Sequence, residues 1–389
     1  MPEKGKPYKV YRGGRVKGPV RAAPPRERPR LGRDGDGYRE PLAEPRKERR
    51  WRRRMLLIAG VLFVLVLSWT VLGYLAFRSG VKDANERLNP SAERALAPPE
   101  GSIVSSPRNL LLLGADVGES VRRSGRGRSD SIMLVRTDPD EDRIAYVSLP
   151  RDLRVDIPGR GADKINAAYA LGGPALAIDT VEQLTGLPIN HVVVVDFDGF
   201  KDAIDAVGGI TVNVRRPILS NKFECPLGST ARCARWEGWR FRAGRQEMDG
   251  RRALVYARIR VNRLNPNESD ITRGERQQHV IQALADKVAG PSGFLRMPLI
   301  GDDLVEPLAT DLSAGEILGL GWVKFRAADD KTLRCRLGGD PVTGPGVSYL
   351  QSSEDNALVI AMITGRSAPQ RPPAGQPFAP GCFVGRAPS

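Results

Sequence analysis

Residues 55–77 read MLLIAGVLFVLVLSWTVLGYLAF, a run from Met55 to Phe77 without one charged side chain. At about 1.5 Å of rise per residue, a helix of that length crosses a hydrocarbon layer of roughly 30 Å. A cleaved secretory leader has an apolar stretch of only about 7–15 residues and ends in a small-residue cleavage pattern, and the run meets neither condition. It is read as an uncleaved anchor. The flank before it carries Trp51-Arg52-Arg53-Arg54 and further arginines, whereas only Arg78 and Lys82 follow closely. Positive charge is retained on the cytoplasmic side. The expected topology is a single-pass protein of the cell membrane, with a cytoplasmic N-terminus and everything after Phe77 outside the cytoplasm.

The formal charge of +15 is unevenly spread. Residues 1–54 hold 19 Lys and Arg against 7 Asp and Glu, a net +12, which leaves +3 for the rest of the chain. With scattered Pro and Gly and few large apolar residues, this segment cannot bury a core and is expected to be disordered. It suits a topology signal that touches anionic membrane lipids; contact with a cytoplasmic partner is the alternative. It lacks aromatic interleaving and any helical DNA-reading pattern, so nucleic acid is not an expected partner.

All four cysteines, Cys225, Cys233, Cys335 and Cys382, follow the anchor. An even number on the oxidising side of a membrane fits two disulfides. Cys225 and Cys233 bracket a short loop and are paired here, which leaves Cys335 to pair with Cys382. The C-x7-C spacing with no nearby histidine is not that of a zinc site.

Residues 78–107 read as a polar extracytoplasmic stalk, with a short helix around Val81 to Ala97 stopped by Pro98-Pro99. Strand-length apolar runs follow at Asn109 to Leu113, Ser131 to Val135, Ile144 to Leu149 and His191 to Val195. Helical patterns lie at Pro174 to Leu184, Phe197 to Val207, Gly250 to Arg258 and Ile271 to Val288. Ala314 to Phe325 and Asp355 to Ile363 complete them. Strands alternating with helices over this length predict one α/β domain around a central sheet, residues 108–365. Residues 366–389, rich in Pro and Gly, are expected to form a loose tail, pinned at Cys382 if that cysteine is bridged.

Hydrolase signatures and phosphate-binding glycine loops are missing. The two histidines, His191 and His279, open a strand and sit inside a helix, and both read as structural. Charged residues instead punctuate strand ends: Asp116 after the first strand, Arg128-Ser129-Asp130 before the second, Arg151-Asp152 after the third. Strand ends are where α/β sheets assemble ligand sites. Two carboxylates so placed suit Mg²⁺, which takes oxygen ligands and shares its shell with substrate phosphates. A second cluster comprises Arg258 and Arg260, then Asp270, Arg273, Arg276 and Gln277 at the start of a long helix. Arg273 and Gln277 share one helix face. Guanidinium forks beside a helix N-terminus suit a polyphosphate, although each charged group taken singly is also an ordinary turn, cap or solvated face.

The order of short motifs resembles the LytR-CpsA-Psr family. The matching blocks are Asn109-Leu110-Leu111-Leu112-Leu113-Gly114, Arg128-Ser129-Asp130-Ser131, Leu149-Pro150-Arg151-Asp152 and Lys164-Ile165-Asn166-Ala167-Ala168-Tyr169. They continue with Val195-Asp196-Phe197-Asp198-Gly199-Phe200, Val207-Gly208-Gly209-Ile210 and Ala253-Leu254-Val255-Tyr256-Ala257-Arg258, a motif core of residues 108–290. The resemblance implies a three-layer α-β-α domain with a central mixed sheet, an apolar channel for a polyprenyl chain and a polar mouth for its pyrophosphate. It assigns Mg²⁺ to Asp116 and Asp130. It assigns the pyrophosphate to Arg128, Arg151, Lys164, Arg258, Arg260, Arg273 and Gln277, with Asp152 orienting Arg151 or assisting proton removal. Arg151, Asp152, Arg258 and Arg273 are the expected catalytic set. Two departures stand out: Val117-Gly118-Glu119 follows Asp116 where the family often has arginine, so that one phosphate contact is either absent or supplied by Arg122 or Arg123, and the segment from Arg260 to Asp270 is long and carries Asn-Pro-Asn, which leaves the register of Arg258 against Arg260 open.

The activity implied is transfer of a glycopolymer from a polyprenyl-pyrophosphate carrier to peptidoglycan, with a phosphodiester link formed. Hydrolysis of the same carrier by water is an alternative that the same phosphate grip would serve. A membrane-anchored regulatory or binding protein of the envelope is the third reading.

Overall fold

The computed structural model describes residues 46–115, 129–265, 270–305, 307–345 and 347–385. Of the segment 1–59, only the first part of the helix Arg46–Arg87 is described. Residues 60–389 form the other compact unit. The helix contains a window of mean hydropathy 2.7, long and apolar enough to cross a membrane.

This helix does not end in a stalk. Phe77, Val81, Ala84 and Leu88, spaced to share one face, are buried against the domain, and Ala92 of the next short helix, Pro90–Ala95, is fully buried. The charged residues among them, Arg78, Lys82, Asp83, Glu86 and Arg87, made the segment read as solvated. The described residues therefore put the folded domain's start at the membrane end of the helix and not near Arg108.

The strands in chain order are β1 Arg108–Ala115, β2 Ser129–Asp138, β3 Arg143–Leu149, β4 Leu153–Ile157, β5 Gly161–Lys164, β6 His191–Asp196, β7 Ile210–Val214, β8 Ile218–Leu219, β9 Arg240–Phe241, β10 Gly244–Met248, β11 Leu308–Thr310, β12 Thr332–Arg336, β13 Gly339–Gly344, β14 Val347–Ser352 and β15 Gly381–Val384. Seven make the central mixed sheet, ordered β11-β6-β1-β2-β3-β12-β15. Within it β1/β6 and β3/β12 pair in parallel and the other neighbours antiparallel. A four-stranded sheet, β13-β14-β4-β5, joins the pair that follows β3 to the pair that follows β12.

Alternation along β1 assigns the two faces. Leu111, Leu113 and Ala115 pack with Ile165, Ile178 and Val181 of helix Ile165–Thr185 and with Val359 and Ile363 of helix Asn356–Ile363. Leu110 and Leu112 point to the other side, under helices that include Phe197–Ala206, Gly250–Arg258, Asp270–Ala289 and Ala314–Arg326. Helices thus cover both faces, and the layers are α-β-α. Helix Ile165–Thr185 bends at Gly173, whose φ of 66° is open to glycine, so that Pro174 starts a new helical stretch instead of blocking one. The tail after residue 366 is held down: β15 pairs with β12, and Cys382 is bonded to Cys335. Cys225 is bonded to Cys233.

Candidate active site

Register brings the strand ends into one row. Gly114 of β1 pairs with Val195 of β6 and with Ser131 of β2, and Ile132 next to Ser131 pairs with Leu149, the last residue of β3. Over this row lies a cavity of about 400 Å³. Its floor is Leu112 and Gly114, Ser131 and Met133, Val193 and Val195, alternate residues of three adjacent strands. Phe200, Ala203, Leu254, Ala257, Ile281 and Leu284 form the helical side. Polar groups gather at the strand-end mouth: Ser131, Asp196, Asn221, Arg258, Arg260, Arg273 and Gln277. The result is an apolar slot with a cationic entrance.

Local chemistry sets each cationic side chain. Helix Gly250–Arg258 starts at Asp249, whose side chain accepts from Arg252 N at 2.7 Å, and the Gly250 amide donates to Asp205 Oδ1 at 2.7 Å. A Cβ on Gly250 would lie 2.2 Å from the Lys201 carbonyl oxygen, so glycine permits the close approach. The helix delivers Arg258 as its last residue. The Arg258 guanidinium lies 4.2 Å from the Phe197 ring centroid and pairs with Glu224. Arg276, buried in the next helix, donates to the Ile259 carbonyl and ties that helix to the turn between Arg258 and Arg260. Asn262 fixes the chain beyond, accepting from Leu219 N at 3.1 Å and donating to Pro217 O at 3.1 Å. Both Arg258 and Arg260 consequently reach the cavity, despite the long segment that follows. Arg273 is buried at the mouth, and Gln277 Oε1 accepts from Ser131 Oγ at 2.9 Å.

Arg151, Asp152 and Lys164 stand apart from the cavity wall. Asp152 accepts from Lys164 Nζ at 2.9 Å and lies 3.4 Å from Arg151 Nε, forming a network just beyond β3 at the same end of the sheet. Tyr169, in the same motif block, has its phenol pKa pushed up by burial and by the Asp196 carboxylate, which keeps it protonated. His191 is structural: its Nδ1 is 2.7 Å from Asp311 Oδ2, at the opposite end of β6. Asp116, Arg122, Arg123, Arg128 and the side chains of Asp130 and Asp270 lie outside the described residues. Among the described residues no group of three metal-binding side chains forms.

Sequence reasoning passed over Phe197, Asn221 and Glu224. Phe197 was legible as the start of a helix within a family motif block, with nothing to mark its contact with Arg258. Glu224 adjoins Cys225, and the disulfide loop was the one available hint that this segment is held in place.

The LytR_cpsA_psr family model matches residues 74–362. The chain belongs to the LytR-CpsA-Psr family. It is similar to the polyisoprenyl-teichoic acid–peptidoglycan teichoic acid transferase TagU of Enterococcus faecalis, 32% identical over 77% of this chain and 91% of the relative. The crystal structure of Bacillus subtilis TagV aligns with a TM-score of 0.56 and 29% identity, covering 67% of this chain and 97% of that one. A structure of TagT bound to LI-WTA aligns at 0.53 and 26%, covering 69% and 93%. The family match begins at residue 74, inside the long helix, in keeping with the burial of Phe77 and Val81.

Proposed function

We propose that this protein transfers a glycopolymer from a polyprenyl-pyrophosphate carrier to peptidoglycan. The observation that carries the reading is the apolar cavity whose single polar end collects Arg258, Arg260, Arg273 and Gln277. An apolar chain fills the slot while its pyrophosphate meets the guanidiniums. The names of the relatives support the same activity.

In the reaction, a sugar hydroxyl of peptidoglycan attacks the phosphorus on the glycan side. The bond from that phosphorus to the bridging oxygen breaks, polyprenyl phosphate leaves, and a phosphodiester remains. Such a step needs charge neutralisation and alignment more than covalent catalysis. Arg258, Arg260 and Arg273 neutralise the oxygens, and Gln277, held by Ser131, adds a neutral donor. Arg151 and Lys164, clamped by Asp152, hold the outer phosphate or the incoming acceptor. With its carboxylate between two cations, Asp152 is assigned to orienting them; assistance in proton removal from the acceptor remains its second role to be tested by Asp152→Asn.

Asp116 and Asp130 would hold Mg²⁺, which would supply positive charge to offset that of the pyrophosphate. Asp116 directly follows β1, and Asp130 lies between Ser129 and Ser131, which pair with Ala115 and Gly114. Two carboxylates plus substrate phosphates suffice for Mg²⁺. Arg128 sits beside them in sequence.

The helix Arg46–Arg87 anchors the domain to the membrane that holds the lipid substrate, with the basic segment 1–54 on the cytoplasmic side against anionic lipid. Tethering of enzyme and substrate to one surface raises their effective concentration. The test incubates the protein with a polyprenyl-pyrophosphate glycan, Mg²⁺ and peptidoglycan fragments and identifies products by mass spectrometry. A phosphodiester-linked adduct that disappears in Asp130→Ala supports transfer and the metal assignment; free glycan phosphate alone means hydrolysis.

A further inference from the structure

Helix Asp270–Ala289 presents different residues to its two sides. At 3.6 residues per turn, Arg273 and Gln277 face the cavity, whereas Glu275, Gln278 and His279 lie on the opposite side, above β3, β12 and β15. A narrow cleft of about 20 Å³ opens there, lined among others by Ser148, Pro150, Arg215, Glu275, Arg334 and Arg336.

The cleft is cationic. Glu275 is its one carboxylate among the described residues, with Oε2 3.6 Å from Arg215 Nη1 and Oε1 3.7 Å from Arg336 Nη1. Two guanidiniums share it at distances longer than hydrogen bonds, and Arg334 lines the same cleft. Two of them are preset by the backbone: Arg334 Nε donates to Gly385 O at 2.8 Å, and Arg336 Nε donates to Ala379 O at 2.9 Å. These carbonyls lie on either side of Cys382, whose bond to Cys335 joins the segment to the strand between the two arginines. Arg334 is buried, which together with the charge of Arg215 pushes its guanidinium down to about 10. One turn beyond Glu275, neither ring nitrogen of His279 has a hydrogen-bond partner among the described residues. Burial and the charges of Arg215, Arg334 and Arg276 push that imidazole down to about 3. Three guanidiniums facing one carboxylate, with Arg334 buried, call for an anion.

We propose that the cleft between Arg215, Arg334 and Arg336 is a second oxyanion site, which takes a phosphate or carboxylate carried by a substrate of the transfer reaction. The cleft's volume admits roughly one water-sized atom, so a single oxygen enters and the rest of the group stays at the rim. Its position suits a substrate that spans both sites. Arg336 pairs with Ser148 and Ser148 with Met133 of the cavity floor, two strand spacings or about 10 Å away. Pro150 in its wall precedes Arg151. The assignment of the oxyanion to a substrate rests on the transferase reading; the existence of the site does not.

The test uses the full chain in detergent micelles with ¹³C-labelled histidine, since His191 and His279 are its two histidines. Inorganic phosphate is titrated while the ring signals are recorded. Saturable movement of the His279 signal is expected, with apparent phosphate affinity about 5–10-fold weaker in Arg215→Gln and unchanged in Arg258→Gln, a cavity variant. Arg215 is partly exposed, so its replacement leaves the fold intact. No saturable movement, equal affinity in Arg215→Gln, or loss of the response in Arg258→Gln would overturn the site. In the transfer assay, a KM raised for the acceptor in Arg215→Gln identifies an acceptor carboxylate, and a KM raised for the donor identifies a donor phosphate. Unchanged KM for both overturns the link to substrates. Wild-type protein that performs no transfer counts against the transferase reading alone, and the phosphate titration still decides the site.

Discussion

The Arg258 guanidinium lies over the Phe197 ring, 4.2 Å from its centroid, and this contact joins the end of helix Gly250–Arg258 to the start of helix Phe197–Ala206. The ring supports one face of the planar cation, so that its edge is presented to the cavity mouth. Phe197→Leu removes the face contact while keeping an apolar residue. A loss of about 1–2 kcal/mol, roughly a 5–30-fold drop in kcat/KM, is expected in the transfer assay, and the fold should be unaffected by circular dichroism.

Glu224 pairs with the same guanidinium. A pyrophosphate that needs Arg258 must displace this carboxylate, so the residue competes with the donor substrate. Because both side chains are partly exposed, the pair is worth at most about 1 kcal/mol. Glu224→Gln is expected to tighten donor binding by about 2–5-fold, measured as Kd for a polyprenyl pyrophosphate.

Much of this architecture was readable from local pattern. The anchor, helix Gly250–Arg258, and strands β1, β2, β3 and β6 all follow from periodicity and punctuation in neighbouring residues. Arg273 and Gln277 were legible as one helix face. What escaped depends on distant partners. Phe77, Val81 and Ala84 are core residues only because the domain folds back on the helix, and charged neighbours obscure their spacing. β15 lies in a Pro- and Gly-rich tail and exists because β12 offers it an edge. The separation of Arg151, Asp152 and Lys164 from the cavity wall likewise arises from the meeting of β4 and β5, two strands too short to announce themselves.

Gly250 faces the Lys201 backbone, with no flexible side chain to yield. Gly250→Ala must push the two helices apart, at a cost of about 1–3 kcal/mol. Urea denaturation should register that loss, and transfer activity should fall with it, because Arg258 lies at the other end of the displaced helix.

His279 makes stability depend on pH. Its folded pKa, pushed down to about 3, lies below the ordinary value of 6.5, so the unfolded chain binds the extra proton across that window. Stability is therefore complete above about 6.5 and is lost as pH falls toward 3, with a slope of at most about 1.4 kcal/mol per pH unit. The charges that deepen the shift are those of Arg215, Arg334 and Arg276. Denaturation midpoints of wild type and His279→Gln, compared between pH 7.5 and 5, should converge as the pH falls.

The transfer reading is tested most directly by running the reaction in ¹⁸O-labelled water with a polyprenyl-pyrophosphate glycan and peptidoglycan fragments, and reading product masses. The expected result is an unlabelled phosphodiester adduct, with its rate reduced by about 3–4 kcal/mol of barrier in Arg273→Gln. Glycan phosphate carrying ¹⁸O, with no adduct formed, would contradict transfer and make the cavity that of a hydrolase.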